Sequence, residues 1–317
     1  MVTQVVVLDD YQDVAREYAD WSGLGPDVRV RFDHEHRSGD GLVRSLTGAE
    51  VVVAMRERTP FPVDVLGRLP DLRLLVTTGM KNASIDLDAA RAQGVTVCGT
   101  GQLATAAAEH TWALILAALR HVPTEDALVR SGGWQATVGG DLASRTLGVV
   151  GLGRLGSRVA RVARAFDMRV VAWSQHLTAA AAAEHDVERV EKGELFATAD
   201  IVTLHLRLSD RTRGIVGRPE LHRMKPKALL VNTSRGPLVD EAALVAALES
   251  GRLGGAALDV YDTEPLPADH PLRRAPRTVL TPHVGYVTGG SYTAYFSGAV
   301  EDIRAWLDGS PVRVLNG

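Results

Sequence analysis

The sequence predicts an α/β protein with two domains, each built on a doubly wound parallel sheet. Three observations support this class. The chain has 317 residues, enough for about two domains of ordinary size. Short apolar segments alternate with helical patterns, as they do in βαβ units. This alternation runs through two series, which a long apolar helical pattern separates after Gly99-Thr-Gly101.

The first series contains short apolar segments of strand length. The predicted strands are residues 5–8, 28–32, 51–54, 72–76 and 95–97. Helical patterns lie between them at residues 10–19, 41–46 and 85–92. We therefore expect a parallel sheet with short helical crossovers in the first hundred residues.

A long helix is predicted to follow, with Thr105 as its cap, before the chain loosens into Ser131-Gly-Gly-Trp134. The second series starts at Thr146. Its predicted strands are residues 146–150, 169–173, 201–205, 228–232, 256–260 and 278–281. A helix over residues 241–249 has Asp240 as N-cap and Gly251 as the C′ glycine.

The last segment predicts an amphipathic helix, because its apolar residues recur at spacings of three and four. These residues are Tyr292, Tyr295, Phe296, Val300, Ile303 and Leu307. Since the helix follows the second sheet, we expect it to pack back onto the first domain. The prediction is thus a discontinuous flavodoxin-like domain of residues 1–100 plus 286–317, and a Rossmann domain of residues 101–285.

Composition excludes several functional classes. Charged residues make up 23% and the net charge is -3, which argues against nucleic acid or an anionic membrane as the main partner. The single cysteine, Cys98, cannot form a disulfide within the chain and suits a reducing, cytoplasmic location. The amino-terminal residues predict a strand rather than a signal peptide. The longest apolar run, residues 112–119, is much shorter than the roughly 20 residues of a membrane span.

A glycine-rich segment, Gly151-Leu-Gly-Arg-Leu-Gly156, follows one predicted strand and opens a predicted helix. In that setting Gly151 permits a tight turn, Gly153 lets the backbone approach a pyrophosphate, and Gly156 allows close contact between helix and strand. The helix N-terminus favours the negative charge of phosphates. The segment therefore predicts a dinucleotide site. The alternative is a glycine-rich turn that binds nothing.

The next strand bears on which dinucleotide binds. Ser174 stands where an acid usually binds the adenosine ribose hydroxyls. A serine does not repel a 2′-phosphate, and no arginine follows nearby to attract one. We expect NAD, with NADP left open.

Three polar residues each follow a strand of the second series: Arg235, Glu264 and His283. Ligands bind at the carboxyl ends of such strands. Arginine offers a planar fork for a carboxylate, and histidine can donate or accept a proton near neutrality. A carboxylate beside that histidine would orient it. Each residue alone could be structural, and Asp262 competes with Glu264, but together they predict reduction of a carbonyl by hydride.

The second half resembles the D-isomer-specific 2-hydroxyacid dehydrogenase family, which includes phosphoglycerate dehydrogenases and glyoxylate/hydroxypyruvate reductases. The resemblance runs from about Leu72 to His283, and the first 70 residues match in pattern only. The matching stretches are Glu109-His110 before an apolar helix and residues 146–156, 221–226, 231–236, 259–267 and 281–285.

This resemblance implies two Rossmann-like domains, with the active site in the cleft between them, and reversible conversion of a 2-oxo acid to a D-2-hydroxy acid with NAD(P)H. It implies Arg235, Glu264 and His283 as catalytic residues. The implied cofactor-binding residues are Thr105, Gly151, Gly153, Arg154, Leu155, Gly156, Ser174, Thr233, Arg235, Asp259 and His283, with Asp259 facing the nicotinamide carboxamide. The implied substrate-binding residues are Thr78, Gly79, Met80, Lys81, Arg235 and His283, the loop acting through its backbone N–H groups.

The resemblance also implies a homodimer through the cofactor domain, with residues 112–134 as a contact segment. No metal site is expected, because no histidine, cysteine or carboxylate group has ligand spacing. The chain departs from the family pattern at Met80, Lys81 and Ala83 of the loop, at Ser174, and at Arg207. These departures leave the substrate and the cofactor preference open.

Two other functions compete with this interpretation. One is a nicotinamide-sensing binding protein similar to the C-terminal-binding-protein corepressors of the same family. The other is oxidation of phosphite or another small anion. Formate is disfavoured, because the formate enzymes resemble this motif with an amide in place of Glu264.

Overall fold

The computed structural model describes residues 2–103 and 105–317. Its strands are β1 (Thr3–Val7), β2 (Val28–Phe32), β3 (Val51–Ala54), β4 (Leu74–Thr77), β5 (Thr96–Gly99), β6 (Thr146–Val150), β7 (Arg169–Trp173), β8 (Glu188–Arg189), β9 (Ile201–Leu204), β10 (Leu229–Asn232), β11 (Gly255–Leu258) and β12 (Thr278–Leu280). Its α-helices are α1 (Gly39–Leu46), α2 (Val63–Leu66), α3 (Leu87–Ala92), α4 (Ala106–Leu119), α5 (Val122–Arg130), α6 (Arg154–Ala165), α7 (Ala179–Ala183), α8 (Lys192–Thr198), α9 (Arg218–Arg223), α10 (Glu241–Glu249) and α11 (Gly289–Leu307).

The chain divides into two compact units. Unit 1 comprises Met1–Leu103 and Val287–Gly317, and unit 2 comprises Ala104–Tyr286. The boundaries expected from the sequence, near residues 100 and 286, lie within a few residues of this division. The predicted fold class, two doubly wound parallel-sheet domains, is confirmed.

Unit 1 contains a five-stranded sheet in the order β2-β1-β3-β4-β5, with every neighbouring pair parallel. This order is the flavodoxin-like one. All residues of β3 and β4 are buried, as expected for central strands covered by helices on both faces. The apolar core on one face of the sheet includes Val52, Phe61, Leu66, Leu75 and Val97.

The carboxyl-terminal helix α11 packs against β4 and β5 of unit 1. Its predicted apolar face is buried at Tyr292, Tyr295, Phe296 and Ile303. Leu307, which the spacing also assigns to that face, is 39% exposed, because it is the last residue of the helix.

The helix predicted over residues 10–19 is wrong. Both carboxylate oxygens of Asp10 accept backbone N–H groups, from Val14 at 3.1 Å and from Ala15 at 3.0 Å. Asp13 adopts a left-handed conformation with φ 54°. A side chain that satisfies backbone donors and a left-handed residue both favour turns over a helix.

Unit 2 contains a seven-stranded parallel sheet in the order β12-β11-β10-β9-β6-β7-β8. The prediction of β6 and β7 is confirmed at both ends, whereas β8 has only two residues and was not predicted. The prediction of α10 is also confirmed: Asp240 accepts the N–H of Ala243 at 2.9 Å, and Gly251 has φ 71°.

The single long helix predicted after Thr105 is instead two helices, α4 and α5. The break lies at His121, which has φ 52°. Pro123, in the first turn of α5, has no N–H to bond a preceding carbonyl and would clash with it inside a continuous helix. The apolar pattern continues across this break, so hydrophobic periodicity alone did not reveal it.

Candidate active site

The glycine-rich segment lies where the strand order of unit 2 reverses. The chain runs outward from β6 to β7 and β8 on one side and from β9 to β12 on the other. Doubly wound sheets bind ligands at the carboxyl ends of their strands at this switch point. Gly151 follows β6 directly, and its N–H donates to Trp173 O at the end of β7, at 2.8 Å.

The backbone geometry explains two of the three glycines. Gly151 has φ 101°, and a Cβ there would lie 2.8 Å from the backbone of His205. A Cβ on Gly156 would lie 2.1 Å from Gly151 O, so any larger residue would force the turn and α6 apart. Gly153 differs, because a Cβ there would meet no atom within 4 Å. Only an approaching ligand would require the absence of that Cβ.

The segment therefore fits a dinucleotide pyrophosphate. Gly153 is the N-cap of α6, so Arg154 and Leu155 occupy its first turn, where backbone N–H groups point out of the helix. Ser174 immediately follows β7, the strand adjacent to β6, and is half-buried. This is where a ribose contact is expected.

The three predicted catalytic residues follow three adjacent strands. Arg235 follows β10, Glu264 follows β11 and His283 follows β12, and these strands are neighbours in the sheet. Because the strands are parallel, their carboxyl ends lie at one edge. The order of the strands therefore places all three residues along the same edge as the glycine-rich segment.

Glu264 and His283 form a close pair. His283 Nδ1 lies 2.6 Å from Glu264 Oε2. The other oxygen, Oε1, accepts the N–H of Tyr261 at 2.9 Å, which fixes the orientation of the carboxylate. Because Nδ1 is engaged, Nε2 is the imidazole nitrogen left to face a substrate. The Tyr286 ring meets the His283 ring edge-on, with centroids 5.3 Å apart.

Asp262, the competing carboxylate, does not take this place. Its N–H donates to Glu241 Oε1 at 2.8 Å, and its side chain is exposed. The choice of Glu264 over Asp262 as the neighbour of His283 therefore agrees with the geometry.

Arg235 belongs to a tightly packed turn after β10. A Cβ on Gly236 would lie 2.0 Å from the backbone of Tyr261, so the turn lies directly against the segment that follows β11. Asn232 holds the turn from within, donating to Arg235 O at 2.9 Å. The half-buried guanidinium of Arg235 donates to Ser234 O at 2.6 Å.

Comparison with known proteins is consistent with this site. Residues 112–285 match the family model described as D-isomer specific 2-hydroxyacid dehydrogenase, NAD binding domain. This chain belongs to the D-isomer specific 2-hydroxyacid dehydrogenase family. Its unit 2 is the NAD-binding domain of that family.

Three relatives illustrate the similarity. The chain is 39% identical over 264 residues to a glyoxylate reductase of Aeropyrum pernix, covering 80% of this chain and 79% of that protein. It is 33% identical over 313 residues to a D-3-phosphoglycerate dehydrogenase of Archaeoglobus fulgidus, covering 98% of this chain but 58% of that protein. The crystal structure of a phosphoglycerate oxidoreductase of Vibrio cholerae is 37% identical, with a TM-score of 0.93, covering 98% of this chain and 100% of that one.

Asp259, a predicted cofactor-binding residue, is bound to the turn that follows β12. Its side chain is buried, and its oxygens accept the Thr281 hydroxyl at 2.5 Å and the N–H groups of Val284 and Gly285, each at 2.8 Å. Burial raises the pKa of this carboxyl, but hydrogen bonds from His110 and Thr281 outweigh it, so the pKa is lowered. The carboxylate therefore binds the turn after His283, and its expected contact with a nicotinamide carboxamide stays a prediction.

Two threonines of the predicted cofactor set lie in unit 2. Thr105 is the N-cap of α4, but its side chain makes no capping hydrogen bond. Thr233 follows β10, and its hydroxyl lies 2.7 Å from that of Thr111 on α4. Their contacts with a cofactor stay predictions.

The predicted substrate loop of unit 1 follows β4. The N–H of Thr78 donates to Ala54 O at 3.0 Å, and the N–H of Gly79 donates to Thr100 Oγ1 at 2.9 Å. Both donors are thus used within unit 1. The loop residues whose backbone N–H groups remain candidates for binding a substrate are Met80 and Lys81, which are exposed.

His205 also lies at this edge of the sheet, although its sequence pattern did not single it out. It directly follows β9, the strand beside β6, and its Nε2 lies 3.0 Å from Thr203 Oγ1. Burial lowers the pKa of this histidine to about 4, so it is neutral at physiological pH. Its place at the carboxyl end of a strand is the sequence signal that marks this position.

A group with metal-ligand chemistry lies in unit 1, where sequence spacing did not suggest one. Asp10, Asp13 and His34 have ligand atoms within 4.8 Å of one another. The carboxylate of Asp10 already accepts two backbone N–H groups, so it acts as a turn-capping residue.

Within residues 2–103 and 105–317, no helix has the length and apolar character needed to cross a membrane.

Proposed function

We propose that this chain reduces a small 2-oxo acid to the D-2-hydroxy acid with NADH, and catalyses the reverse oxidation. The observation that carries the proposal is the 2.6 Å contact between His283 Nδ1 and Glu264 Oε2. It lies on the same sheet edge as Arg235 and the glycine-rich segment, in a chain of the 2-hydroxyacid dehydrogenase family.

Arg235 anchors the substrate in this proposal. A guanidinium can donate two parallel hydrogen bonds to a carboxylate, and so holds the acid in one orientation. A reduced nicotinamide dinucleotide, with its pyrophosphate at the glycine-rich segment, would supply the hydride that adds to the carbonyl carbon.

His283 supplies the proton. It starts protonated in the reduction direction and donates from Nε2 to the carbonyl oxygen, while Glu264 holds Nδ1. In the oxidation direction it starts neutral and accepts the hydroxyl proton at the same nitrogen. The negative charge of Glu264 stabilises the imidazolium, and its contact with Tyr261 keeps the carboxylate in place.

We also propose that NADH is preferred over NADPH. Ser174 stands in place of the acid that would reject a 2′-phosphate, but Gln175, His176 and Leu177 offer no guanidinium to bind one.

The lone buried thiol of Cys98 is consistent with a reducing, cytoplasmic location.

A homodimer through unit 2 is the remaining part of the proposal. None of the nine described residues of α5 is buried. Val122 and Val129 lie seven residues apart on one face of α5, each about half exposed, and Trp134 just beyond is 77% exposed. Apolar surface of this kind is typical of an interface between subunits.

The deciding experiment is a spectrophotometric screen of the purified chain at the absorbance band of reduced nicotinamide. NADH and NADPH are each paired with glyoxylate, hydroxypyruvate, pyruvate and bulkier 2-oxo acids. We expect turnover with at least one 2-oxo acid, abolished in His283→Ala although NADH still binds. Binding of NADH without turnover on any acid would favour a nicotinamide-sensing protein, and oxidation of phosphite would favour the other alternative.

A further inference from the structure

His110 contacts residues that directly follow β11 and β12. It belongs to the Glu109-His110 motif, which the proposed reaction does not use. It lies on α4, and its Nε2 is 3.0 Å from Thr281 Oγ1 and 3.2 Å from Asp259 Oδ1. The Thr281 hydroxyl donates to Asp259 Oδ1 at 2.5 Å. A hydroxyl that donates to the carboxylate accepts from the imidazole, so Nε2 of His110 carries a proton.

Asp259 connects this imidazole to the turn that follows the proposed proton donor. Oδ1 of Asp259 accepts the N–H of Val284, and Oδ2 accepts the N–H of Gly285. A Cβ on Gly285 would lie 2.9 Å from Asp259 Oδ2 and 3.6 Å from His110 Cδ2, so imidazole, carboxylate and turn are in direct contact.

The turn needs this support because His283 is conformationally strained. Its φ of 53° lies in the left-handed region, which costs a non-glycine residue about 1 kcal/mol or more. Such a residue persists only where its surroundings hold it. The carboxylate that holds the turn is itself buried, and a buried carboxylate needs donors such as His110 to stay charged.

We propose that His110 is a positioning residue for His283, acting through the carboxylate of Asp259. The inference rests on the proposed function, since it concerns the placement of His283 Nε2 at a substrate carbonyl. His110 keeps Asp259 ionised and oriented, Asp259 holds the N–H groups of Val284 and Gly285, and that turn fixes the His283 ring against Glu264.

Two substitutions separate the hydrogen bond from the bulk of the side chain. His110→Gln places an amide donor near the position of Nε2, whereas His110→Leu fills similar space without a donor. We expect kcat for 2-oxo acid reduction to fall by up to about a hundredfold in His110→Leu, the size expected for a reacting group misplaced by about 1 Å. His110→Gln should recover most of that loss. NADH affinity, measured by fluorescence titration, should change much less than kcat in both, because the proposed pyrophosphate site follows β6 rather than β11 or β12.

The solvent deuterium isotope effect on kcat is the readout that a merely structural role would not move. Misplacement of His283 slows proton donation, so the isotope effect should rise in His110→Leu and return towards the wild-type value in His110→Gln. The matched control is His222→Leu, which removes an imidazole that bonds Arg218 O within its own helix. That variant should keep the wild-type kcat and isotope effect.

Wild-type turnover together with an unchanged kcat and isotope effect in His110→Leu would overturn the inference while leaving the proposed function intact. Absence of turnover in the wild-type protein would instead overturn the proposed function. If His110→Leu does not fold, His110→Gln is compared with His110→Asn, whose donor lies near the position of Nδ1. Equal kcat in those two variants would then overturn the inference. A kcat close to the wild-type value in His110→Gln but not in His110→Asn would support it.

Discussion

At Arg235 a substitution can keep the positive charge while changing the hydrogen-bonding geometry of the side chain. Arg235→Lys keeps the positive charge but loses the planar fork. We expect KM for the 2-oxo acid to rise about tenfold to a hundredfold, since one charge-assisted hydrogen bond contributes about 1.5–3 kcal/mol. The affinity for NADH should change little. A wild-type KM would mean that Arg235 serves the packing of its turn instead.

The His283–Glu264 pair makes a prediction about pH. Reduction requires protonated His283 at the start, so kcat/KM for reduction should fall as pH rises, while that for oxidation rises. Glu264→Gln removes the negative charge beside His283 Nδ1, so both pH profiles should move to lower pH. Profiles in both directions, measured for wild type and variant, test this.

Asp262→Asn is the matched control, because it neutralises a nearby carboxylate that the structure keeps away from His283. Its profiles should coincide with those of the wild type. A shift in Asp262→Asn with none in Glu264→Gln would make Asp262 the functional partner.

At the scale of the element, the turn from β6 to α6 separates the roles of two glycines. Gly156→Ala should destabilise unit 2 and weaken NADH binding together, because the new Cβ would lie 2.1 Å from Gly151 O. Gly153→Ala should leave the thermal unfolding temperature near the wild-type value, because its Cβ meets open space, yet it should weaken NADH binding. Normal NADH affinity in Gly153→Ala would mean that the pyrophosphate lies elsewhere.

We expect the contact between α11 and the carboxyl-terminal segment to make the stability of the protein depend on pH. Asp302 on α11 is fully buried, and Arg313 bonds its Oδ1 at 3.0 Å. Burial raises the pKa of Asp302 to about 7, outweighing the attraction of Arg313. Between about pH 4 and pH 7 the folded protein therefore holds a proton that the unfolded chain lacks. This contribution is present in full below about pH 4 and is lost as pH rises towards 7.

Asp302→Asn should remove that dependence. Relative to the variant, the wild type should lose about 1.4 kcal/mol of unfolding free energy per pH unit across this window. Urea unfolding of both proteins at several pH values measures the difference. The control is Glu301→Gln, which neutralises the exposed partner of the same arginine. If the difference between wild type and Asp302→Asn does not vary with pH, Asp302 is ionised throughout.

At the scale of the whole molecule, the proposed dimer can be tested by mass. Sedimentation should report twice the chain mass of 33.9 kDa. Val129→Asp places a charge on the apolar face of α5 and should shift the protein to the monomer. Val63→Asp, at a valine on α2 of unit 1 that is somewhat more exposed than Val129, should leave the dimer intact. A monomeric wild type would overturn the proposal.

Much of the fold could be predicted because parallel strands buried on both faces are short, continuous apolar segments. The strands at residues 51–54, 146–150 and 169–173 were predicted at both ends. The edge strand at residues 28–32 was also predicted at both ends, although its apolar residues alternate with arginines. The helix expected at residues 10–19 failed for a local reason: the Asp10 side chain competes for the N–H groups of Val14 and Ala15. Periodicity does not register such competition.

The sequence by itself determined the chemistry available to this protein: a glycine-rich segment between strand and helix, and an arginine, an acid and a histidine each placed after a strand. It could do so because these features depend on residue type and on local order along the chain. Only the tertiary structure decided which groups meet. Glu264 rather than Asp262 reaches His283, the N–H groups of Thr78 and Gly79 are used internally, and Asp259 binds the turn after His283. These choices depend on strand order and on distances of a few ångströms between residues far apart in sequence, which no local pattern encodes.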